Sequence, residues 1–516
     1  MLKQQTSSAF FLRSRVHLSV PPAPGRPTVE ERPKRYRRKT TMASQSGSDS
    51  QGDSEMSSRR FGGPLFPLSF KEAAYQWWTS VTPLSAERAV LSHVPYLRDA
   101  AEYFASDTTP DQVDRFDPFG TRIWKTQMVK LSGKNRALNE YSVERVGEDV
   151  KETLVMLHGY GAGLGFFYKN FEPLTRLPGW RLYALDMLGM GNSSRPPFRV
   201  CAKDKKGKIA EAENWFIDAL EEWRVQRNID KFTLLGHSLG GYLAVSYALK
   251  YPGHIKKLIL ASPVGIPENP YAINDALPEP AESTMEAEFT EDQESVTTDH
   301  QKVKTCAKTT STPPTTNPPN RRLPASRLPP WLVWLWDANF SPFSIVRLSG
   351  PLGPRFVSGW SSRRFNHLPT AEAQALHEYS FAIFRQKGSG EYALPYILAP
   401  GAYARDPVVN RIAGVGRQVI SQSDGKTIRE TGFPVVMMYG ENDWMDAAGG
   451  FAAEQKLSEA RELALLQGTE EERKKENGQA RVLIVSKAGH HLYLDNADEF
   501  NELMRKEMEE TMAESR

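Results

Sequence analysis

Short, almost continuous apolar runs recur between residues 153 and 485, each bounded by glycine, aspartate or histidine. Such runs are typical of strands buried on both faces of a parallel sheet. Helical patterns lie between them, as at 212–223, where large apolar side chains fall on one stripe. This alternation predicts a doubly wound, mostly parallel α/β fold, with an antiparallel hairpin formed by 122–131 and 141–146 at one edge. The predicted strands are 153–157, 181–185, 232–235, 257–261, 435–439 and 482–485.

Two polar tracts have no such pattern. Residues 1–60 are rich in Ser, Arg, Lys and Pro, and residues 275–326 include T-S-T-P-P-T-T-N-P-P. Neither composition buries enough apolar surface to fold, so we expect disorder in the first and a loop insertion in the second. No acidic residue precedes Glu30, while several basic residues do. This composition indicates a mitochondrial transit peptide, and an ordinary basic tail is the alternative.

Charge and cysteine content narrow the functional class. The net charge of +3 over 516 residues gives no indication of a nucleic-acid partner. The two cysteines, Cys201 and Cys306, lie in polar, loop-like sequence and form no disulfide framework, which suits a reducing compartment. No apolar run approaches the roughly 20 residues that span a bilayer, so we expect peripheral membrane contact only. We expect neither a metal nor a cofactor.

The strongest chemical signal is the pentapeptide G-H-S-L-G at 236–240, which follows strand 232–235 directly and leads into the helix-like 241–249. G-x-S-x-G between a strand and a helix is typical of a nucleophile elbow. The turn is so tight that side chains beside the serine would clash, which explains the glycines. Ser238 is therefore the predicted nucleophile.

An acylated serine passes through an oxyanion, which needs two backbone N–H donors about 3 Å away. Leu239, immediately after the nucleophile, is one predicted donor. Tyr160 is the other, because the loop H-G-Y-G-A-G at 158–163 follows a predicted strand and its glycines let the backbone turn inward. We interpret His158, which precedes the glycine turn, as structural.

Two aspartates follow the strand at 435–439 and compete for the role of triad acid. Asp443 comes three residues after the strand-ending glycine, where a short turn can direct a carboxylate at a histidine. Asp446 is better placed to cap the segment 447–450. The chain order Ser, Asp, His is the one found in this kind of fold. We therefore favour Asp443 and keep Asp446 as the alternative acid.

The last predicted strand leads into K-A-G-H-H-L-Y-L-D at 487–495. His490, just after the glycine turn, is the predicted general base, and His491 is interpreted as a packing residue. Asp495 precedes a helical pattern at 496–504, so we predict that it is the N-cap of that helix.

Several motifs together resemble one α/β-hydrolase subfamily. It contains the lipid-droplet lipase coactivator, the N-acyl phospholipid lipases, the plant lysophospholipid acyltransferases and the fungal mitochondrial cardiolipin-specific deacylase. The resemblance covers roughly 70–270 and 330–510, and the fungal mitochondrial branch is closest in overall pattern. The motifs are YQWWTSVTP at 75–83, HGYGAG at 158–163, DMLGMGNSSRP at 186–196, GHSLGGY at 236–242, GSGEYALPYILAPGAY at 388–403 and GHHLYLD at 489–495.

The resemblance gives Asp495 a second interpretation. His490 and Asp495 match the H-x4-D pattern that members of the subfamily share, which has been linked to acyl-CoA-dependent acyl transfer. Acyl-CoA would then be a co-substrate. The coactivator of the subfamily lacks the nucleophilic serine, and this chain retains Ser238, which argues against a purely noncatalytic role.

The resemblance also implies an α/β-hydrolase core interrupted by a helical cap. We assign 61–269 to the first part of the core, 270–428 to the cap or lid, and 429–516 to the second part of the core. The cap contains three tryptophans that suit either a membrane interface or packing of a lid on the core. They are Trp331, Trp334 and Trp336.

These observations predict a serine-dependent acyl hydrolase of membrane lipids, with a phospholipid substrate and cardiolipin as the first candidate. The alternatives are an acyl-CoA-dependent acyltransferase acting on a lysophospholipid such as lysophosphatidic acid, and a lipid-bound scaffold that activates another lipase. The predicted partner is phospholipid or lysophospholipid at a membrane surface, and no protein partner is indicated. The predicted location is the matrix face of the mitochondrial inner membrane, or cytoplasm and lipid droplets if import does not occur.

Overall fold

Nine strands form one sheet in the computed structural model, which describes residues 66–79, 81–105, 117–268, 341–399, 402–423 and 426–515. They are β1 (Arg98–Asp99), β2 (Arg122–Lys130), β3 (Ala137–Arg145), β4 (Glu152–Leu157), β5 (Trp180–Leu185), β6 (Phe232–His237), β7 (Ile255–Ala261), β10 (Val435–Gly440) and β11 (Ala480–Val485). Their order is β1-β2-β3-β5-β4-β6-β7-β10-β11. Strand β3 is antiparallel to β2 and β5, and the other neighbours are parallel. A separate ribbon pairs β8 (Val419–Ser423) with β9 (Lys426–Arg429).

The predicted strands are confirmed. Every predicted run overlaps a strand of the sheet, and the predicted hairpin is β2 and β3, with Trp124 opposite Val143. All residues of β4, β6 and β10 are buried, as expected for inner strands covered by helices on both faces. Because these strands are parallel, their carboxyl ends meet at one edge of the sheet, where the loops carrying the predicted site residues begin.

Helices cover the sheet. The predicted helical pattern 212–223 lies within α5, whose N-cap Asp204 accepts a hydrogen bond from the Gly207 N–H. The α-helices are α1 (Phe70–Thr79), α2 (Pro83–Leu91), α3 (Ala100–Ala105), α4 (Tyr168–Leu174), α5 (Lys205–Gln226), α6 (Leu239–Lys250), α7 (Phe343–Leu348), α8 (Gly353–Arg364), α9 (Thr370–Phe384), α10 (Leu394–Ile397), α11 (Ala447–Gln467), α12 (Glu470–Lys475), α13 (Leu492–Asp495) and α14 (Ala497–Glu514). Short 3-10 turns lie at Leu164–Phe167, Gly350–Leu352, Gly390–Ala393, Val408–Asn410 and Ile412–Gly414.

A buried carboxyl pair joins the N-terminal helices to the sheet. The Asn139 side-chain amide donates to Oε2 of Glu87 on α2 and to Oδ2 of Asp186, at 2.9 Å each. The Leu164 N–H donates to Oδ1 of the same aspartate at 2.7 Å. Burial, with the charge of Asp186 as the second cause, raises the pKa of Glu87 to about 8. At neutral pH the Glu87 carboxyl group is therefore mostly protonated.

Several predicted features lie outside the described residues. These are the N-terminal tract 1–60, the insertion 275–326 and the three cap tryptophans Trp331, Trp334 and Trp336. Within the described ranges, no helix is both long and apolar enough to cross a bilayer.

Candidate active site

Ser238 lies in a strained turn between β6 and α6. Its backbone has φ 52° and ψ −116°, which few residues other than glycine adopt, and its side chain is buried, with 7% of the residue exposed. A Cβ on Gly236 would lie 2.3 Å from the Gly240 carbonyl oxygen, and a Cβ on Gly240 would lie 2.7 Å from that of His158. Side chains at either glycine would clash with the backbone, as the pentapeptide indicated. The turn has the geometry of a nucleophile elbow.

The loop after β4 lies against this elbow. A Cβ on Gly159 would lie 3.0 Å from the Ser238 Cβ, so the backbone of the loop passes directly beside the serine. Tyr160 is the next residue, and the neighbouring Gly161 has a positive φ of 71° that turns the chain. Leu239 is the first residue of α6 on the other side of the serine. Each predicted oxyanion donor therefore neighbours this close approach in the chain, because Tyr160 follows Gly159 and Leu239 follows Ser238.

An aromatic stack from helices α7 and α9, within the predicted cap, covers that loop. The Tyr160 ring stacks on Phe343 of α7 with ring centroids 5.2 Å apart, and Phe343 stacks on Phe384 of α9 at 4.6 Å. Helices α7 and α9 therefore cover the loop that carries the predicted oxyanion donor with apolar surface.

Asp443 and His490 meet at the carboxyl edge of the sheet. Nδ1 of His490 lies 3.2 Å from Oδ1 of Asp443 and 2.6 Å from the hydroxyl of Ser262. The Ser262 hydroxyl in turn donates to Oδ2 of Asp443. Since this serine donates its hydrogen to the carboxylate, it accepts from Nδ1–H, which fixes the imidazole as the Nδ1–H tautomer. Nε2 is then the nitrogen that can accept a proton.

The other histidines near the site are neutral packing residues. Burial, followed by the charge of Arg364, lowers the pKa of His491 well below its usual value. Burial, followed by the charge of His490, does the same to the pKa of His237. Burial also lowers the pKa of His158, whose Nε2 accepts the Met187 N–H at 3.1 Å. The interpretation of His158 and His491 as structural residues agrees with these contacts.

The contacts of Asp446 give it a different role from that of Asp443. Its side chain accepts the Ala448 N–H at 2.9 Å and is the N-cap of α11, as predicted. The Asp443 carboxylate faces His490 and Ser262 instead. Of the two competing aspartates, Asp443 is the one that the structure brings to the histidine.

The prediction that Asp495 caps the following helix is wrong. Asn496 is the N-cap of α14, and its side chain accepts the Glu499 N–H at 3.4 Å. Asp495 is the last residue of the short helix α13, and its Oδ2 accepts the Gly489 N–H at 3.0 Å. The contact with Gly489 fixes the side chain inward, so the adjacent asparagine takes the capping role.

The sequence analysis missed three residues around the histidine. Ser262 bridges the acid and the base, and its position directly after β7, at the same sheet edge as the elbow, was the available signal. His237 Nε2 lies 3.0 Å from the His490 carbonyl oxygen, and its place beside the nucleophile could have indicated it. The Trp444 ring lies 4.6 Å from that of His490, and its position next to Asp443 gave only a weak hint.

A strand–serine–helix elbow on a mostly parallel sheet, followed along the chain by an aspartate and a histidine that contact each other, defines an α/β hydrolase. The profile of the alpha/beta hydrolase fold family matches residues 152–497, and the chain belongs to this family.

Similar proteins with assigned names indicate the subfamily within this family. A 1-acylglycerol-3-phosphate O-acyltransferase of Arabidopsis thaliana is 32% identical over 69% of this chain, and the match spans 66% of that protein. The 1-acylglycerol-3-phosphate O-acyltransferase ABHD5 of Mus musculus is 28% identical over 74% of this chain and 84% of its own length. A (lyso)-N-acylphosphatidylethanolamine lipase of Mus musculus is 27% identical over 67% of this chain and 76% of its own length. These relatives belong to the subfamily that the sequence motifs indicated.

Proposed function

We propose that the protein is a serine-dependent acyl hydrolase of membrane-lipid esters. Ser238 attacks the ester carbonyl carbon and its proton passes to Nε2 of His490, while Asp443 stabilises the imidazolium. The N–H groups of Leu239 and Tyr160 stabilise the oxyanion. The proton then goes to the leaving alcohol, and water hydrolyses the acyl-enzyme by the same steps. The 3.2 Å contact between Asp443 and His490 at the edge that carries the elbow is the observation behind this proposal.

An exposed apolar face supports a membrane-bound substrate. Helix α1 packs against the cap at Gly350–Leu352 and α8, and large apolar side chains from both sides remain exposed there. Among them Trp78 is 82% exposed and Leu348 80%. Helix α8 also carries the half-buried Arg355 and Arg363, whose charge complements anionic phospholipid. We define the apolar face as Phe70, Tyr75, Trp78, Leu348, Leu352 and Phe356.

Charges placed on the apolar face should detach the protein from lipid. Trp78→Asp combined with Leu348→Asp is expected to weaken sedimentation with anionic phospholipid vesicles about tenfold or more, since each apolar side chain contributes roughly 1.5–3 kcal/mol when buried. Leu466→Asp on α11 is the matched control, because Leu466 is 76% exposed but lies outside this face. Equal loss in the control, or undiminished sedimentation of the double variant, would contradict the assignment of this face.

The proposed substrate is a glycerophospholipid, with cardiolipin first if the protein enters mitochondria. The proposed location is the matrix face of the inner membrane, which the basic composition before Glu30 and the resemblance to the fungal mitochondrial branch support. A fusion of residues 1–60 to a fluorescent protein tests import. A purely cytosolic signal would move the proposed site to lipid droplets or other cytoplasmic membranes.

The names of the relatives favour a second candidate, an acyl-CoA-dependent lysophospholipid acyltransferase. The assay that separates the candidates offers purified protein a labelled phospholipid, with and without acyl-CoA and lysophospholipid. We expect free fatty acid and lysolipid to be released without acyl-CoA. Consumption of lysolipid only when acyl-CoA is present would replace the hydrolase with the acyltransferase. Inactivity in both arms, with stimulation of another lipase, would indicate the scaffold.

A further inference from the structure

The aspartate of the H-x4-D pattern is buried against the backbone that leads to the histidine. The Asp495 side chain is 0% exposed, and its Oδ2 accepts the N–H of Gly489 at 3.0 Å. Gly489 directly precedes His490. The one-turn helix α13 returns the carboxylate to this point, since the Asp495 N–H donates to the His491 carbonyl oxygen at 2.9 Å. The four residues between His490 and Asp495 are therefore the length of chain that brings the carboxylate back to the Gly489 N–H.

A cap arginine faces the same carboxylate. Arg364, at the end of α8, is 1% exposed and places Nη2 3.9 Å from Oδ2 of Asp495. Charges this deeply buried need each other, because either one alone would keep the full cost of leaving water.

Three contacts hold the histidine segment, besides the 2.6 Å contact between the Ser262 hydroxyl and Nδ1 of His490. Asp443 contacts the imidazole of His490 at 3.2 Å, and Nε2 of His237 contacts the carbonyl oxygen of His490 at 3.0 Å. The carboxylate of Asp495 holds the preceding N–H. The first contact orients the ring, and the other two fix the backbone from which the ring projects.

We propose that Asp495 is a positioning residue that couples the cap to the catalytic histidine. Its carboxylate joins the Arg364 guanidinium of α8 to the backbone N–H of Gly489, so the position of α8 sets the position of His490. The proposal rests on the hydrolase function proposed above and deepens it, since a lipid that moves the cap also adjusts the base. Asp495 then acts through His490 in hydrolysis and needs no direct contact with an acyl acceptor.

Kinetics with a soluble p-nitrophenyl ester test this coupling. Asp495→Ala should lower kcat about 10- to 100-fold with KM changed less than about twofold, because a misplaced base impairs the chemical step more than binding. Asp495→Asn keeps an acceptor for Gly489 and should lose less. Arg364→Met should also lower kcat. The double variant with Arg364→Met and Asp495→Ala should have the same kcat as Asp495→Ala alone, because either substitution already removes the ion pair between these two side chains. Asp498→Asn, an exposed aspartate in the first turn of α14, is the matched control.

Amide hydrogen exchange of peptides covering 486–496 provides a readout that does not depend on activity. Exchange should be faster in Asp495→Ala and in Arg364→Met, and unchanged in Asp498→Asn. Unchanged exchange with wild-type kcat in both Asp495 variants would overturn the positioning role, as would strictly additive effects of the two substitutions. So would an Asp495→Asn variant that hydrolyses esters normally but loses acyl-CoA-dependent transfer. If the wild-type protein hydrolyses no ester while exchange is still faster in the two variants, the hydrolase function is refuted and the contact of Asp495 with the histidine segment is not.

Discussion

Replacing Ser238 with alanine is expected to lower kcat for ester hydrolysis by roughly 10⁴- to 10⁶-fold, because no acyl-enzyme can form. The fold should survive. Alanine keeps the Cβ that the positive φ of 52° already accommodates, and the Ser238 backbone N–H still donates to the Ala261 carbonyl oxygen at 3.0 Å. Steady-state turnover and the melting temperature of the purified variant check both statements.

A fluorophosphonate probe supplies an independent measurement. It should label the wild-type protein covalently and leave the Ser238→Ala variant unlabelled. An alanine variant with normal turnover, or labelling that persists in it, would show that another residue is the nucleophile.

The second large effect separates the two aspartates of the loop after β10. Asp443→Asn should lower kcat about 10³- to 10⁴-fold, because the amide carries no charge to stabilise the imidazolium and no longer enforces the Nδ1–H tautomer. Asp446→Asn should keep nearly full activity and a similar melting temperature, since asparagine caps a helix as well as aspartate does. The two variants are therefore matched in chemistry and differ only in position. Equal loss of activity in both variants would contradict the assignment of Asp443, rather than Asp446, as the triad acid.

Local patterns in the sequence predict the parts of the fold that depend on neighbouring residues. The inner strands are predicted because burial on both faces requires uninterrupted apolar runs, as in β4 and β6. The elbow is predicted because the clash of any side chain at Gly236 or Gly240 is a property of a turn a few residues long. Asp446 as an N-cap is predicted because capping also depends only on residues two or three positions away.

Contacts between distant segments explain what the sequence analysis missed. The residues after Asp495 have a helical pattern, and an aspartate before such a pattern is usually its cap. What decides otherwise is the contact of the Asp495 carboxylate with the Gly489 N–H, beside which Arg364, far earlier in the chain, lies once the chain folds back. Ser262 is similar, because its role follows from β7 and β10 being neighbours in the sheet rather than in the chain.

The buried carboxyl pair determines how much of the chain folds as a unit. Glu87 and Asn139 both precede residue 152, where the match to the hydrolase family begins, yet they enclose Asp186 inside that match. A polypeptide cut at Glu152 would lose both partners and the edge strands β2 and β3, leaving the carboxylate beside an unfilled gap in the interior. The match to the family model therefore begins inside the folded unit, because α2, β2 and β3 precede it and carry the residues that complete the surroundings of Asp186.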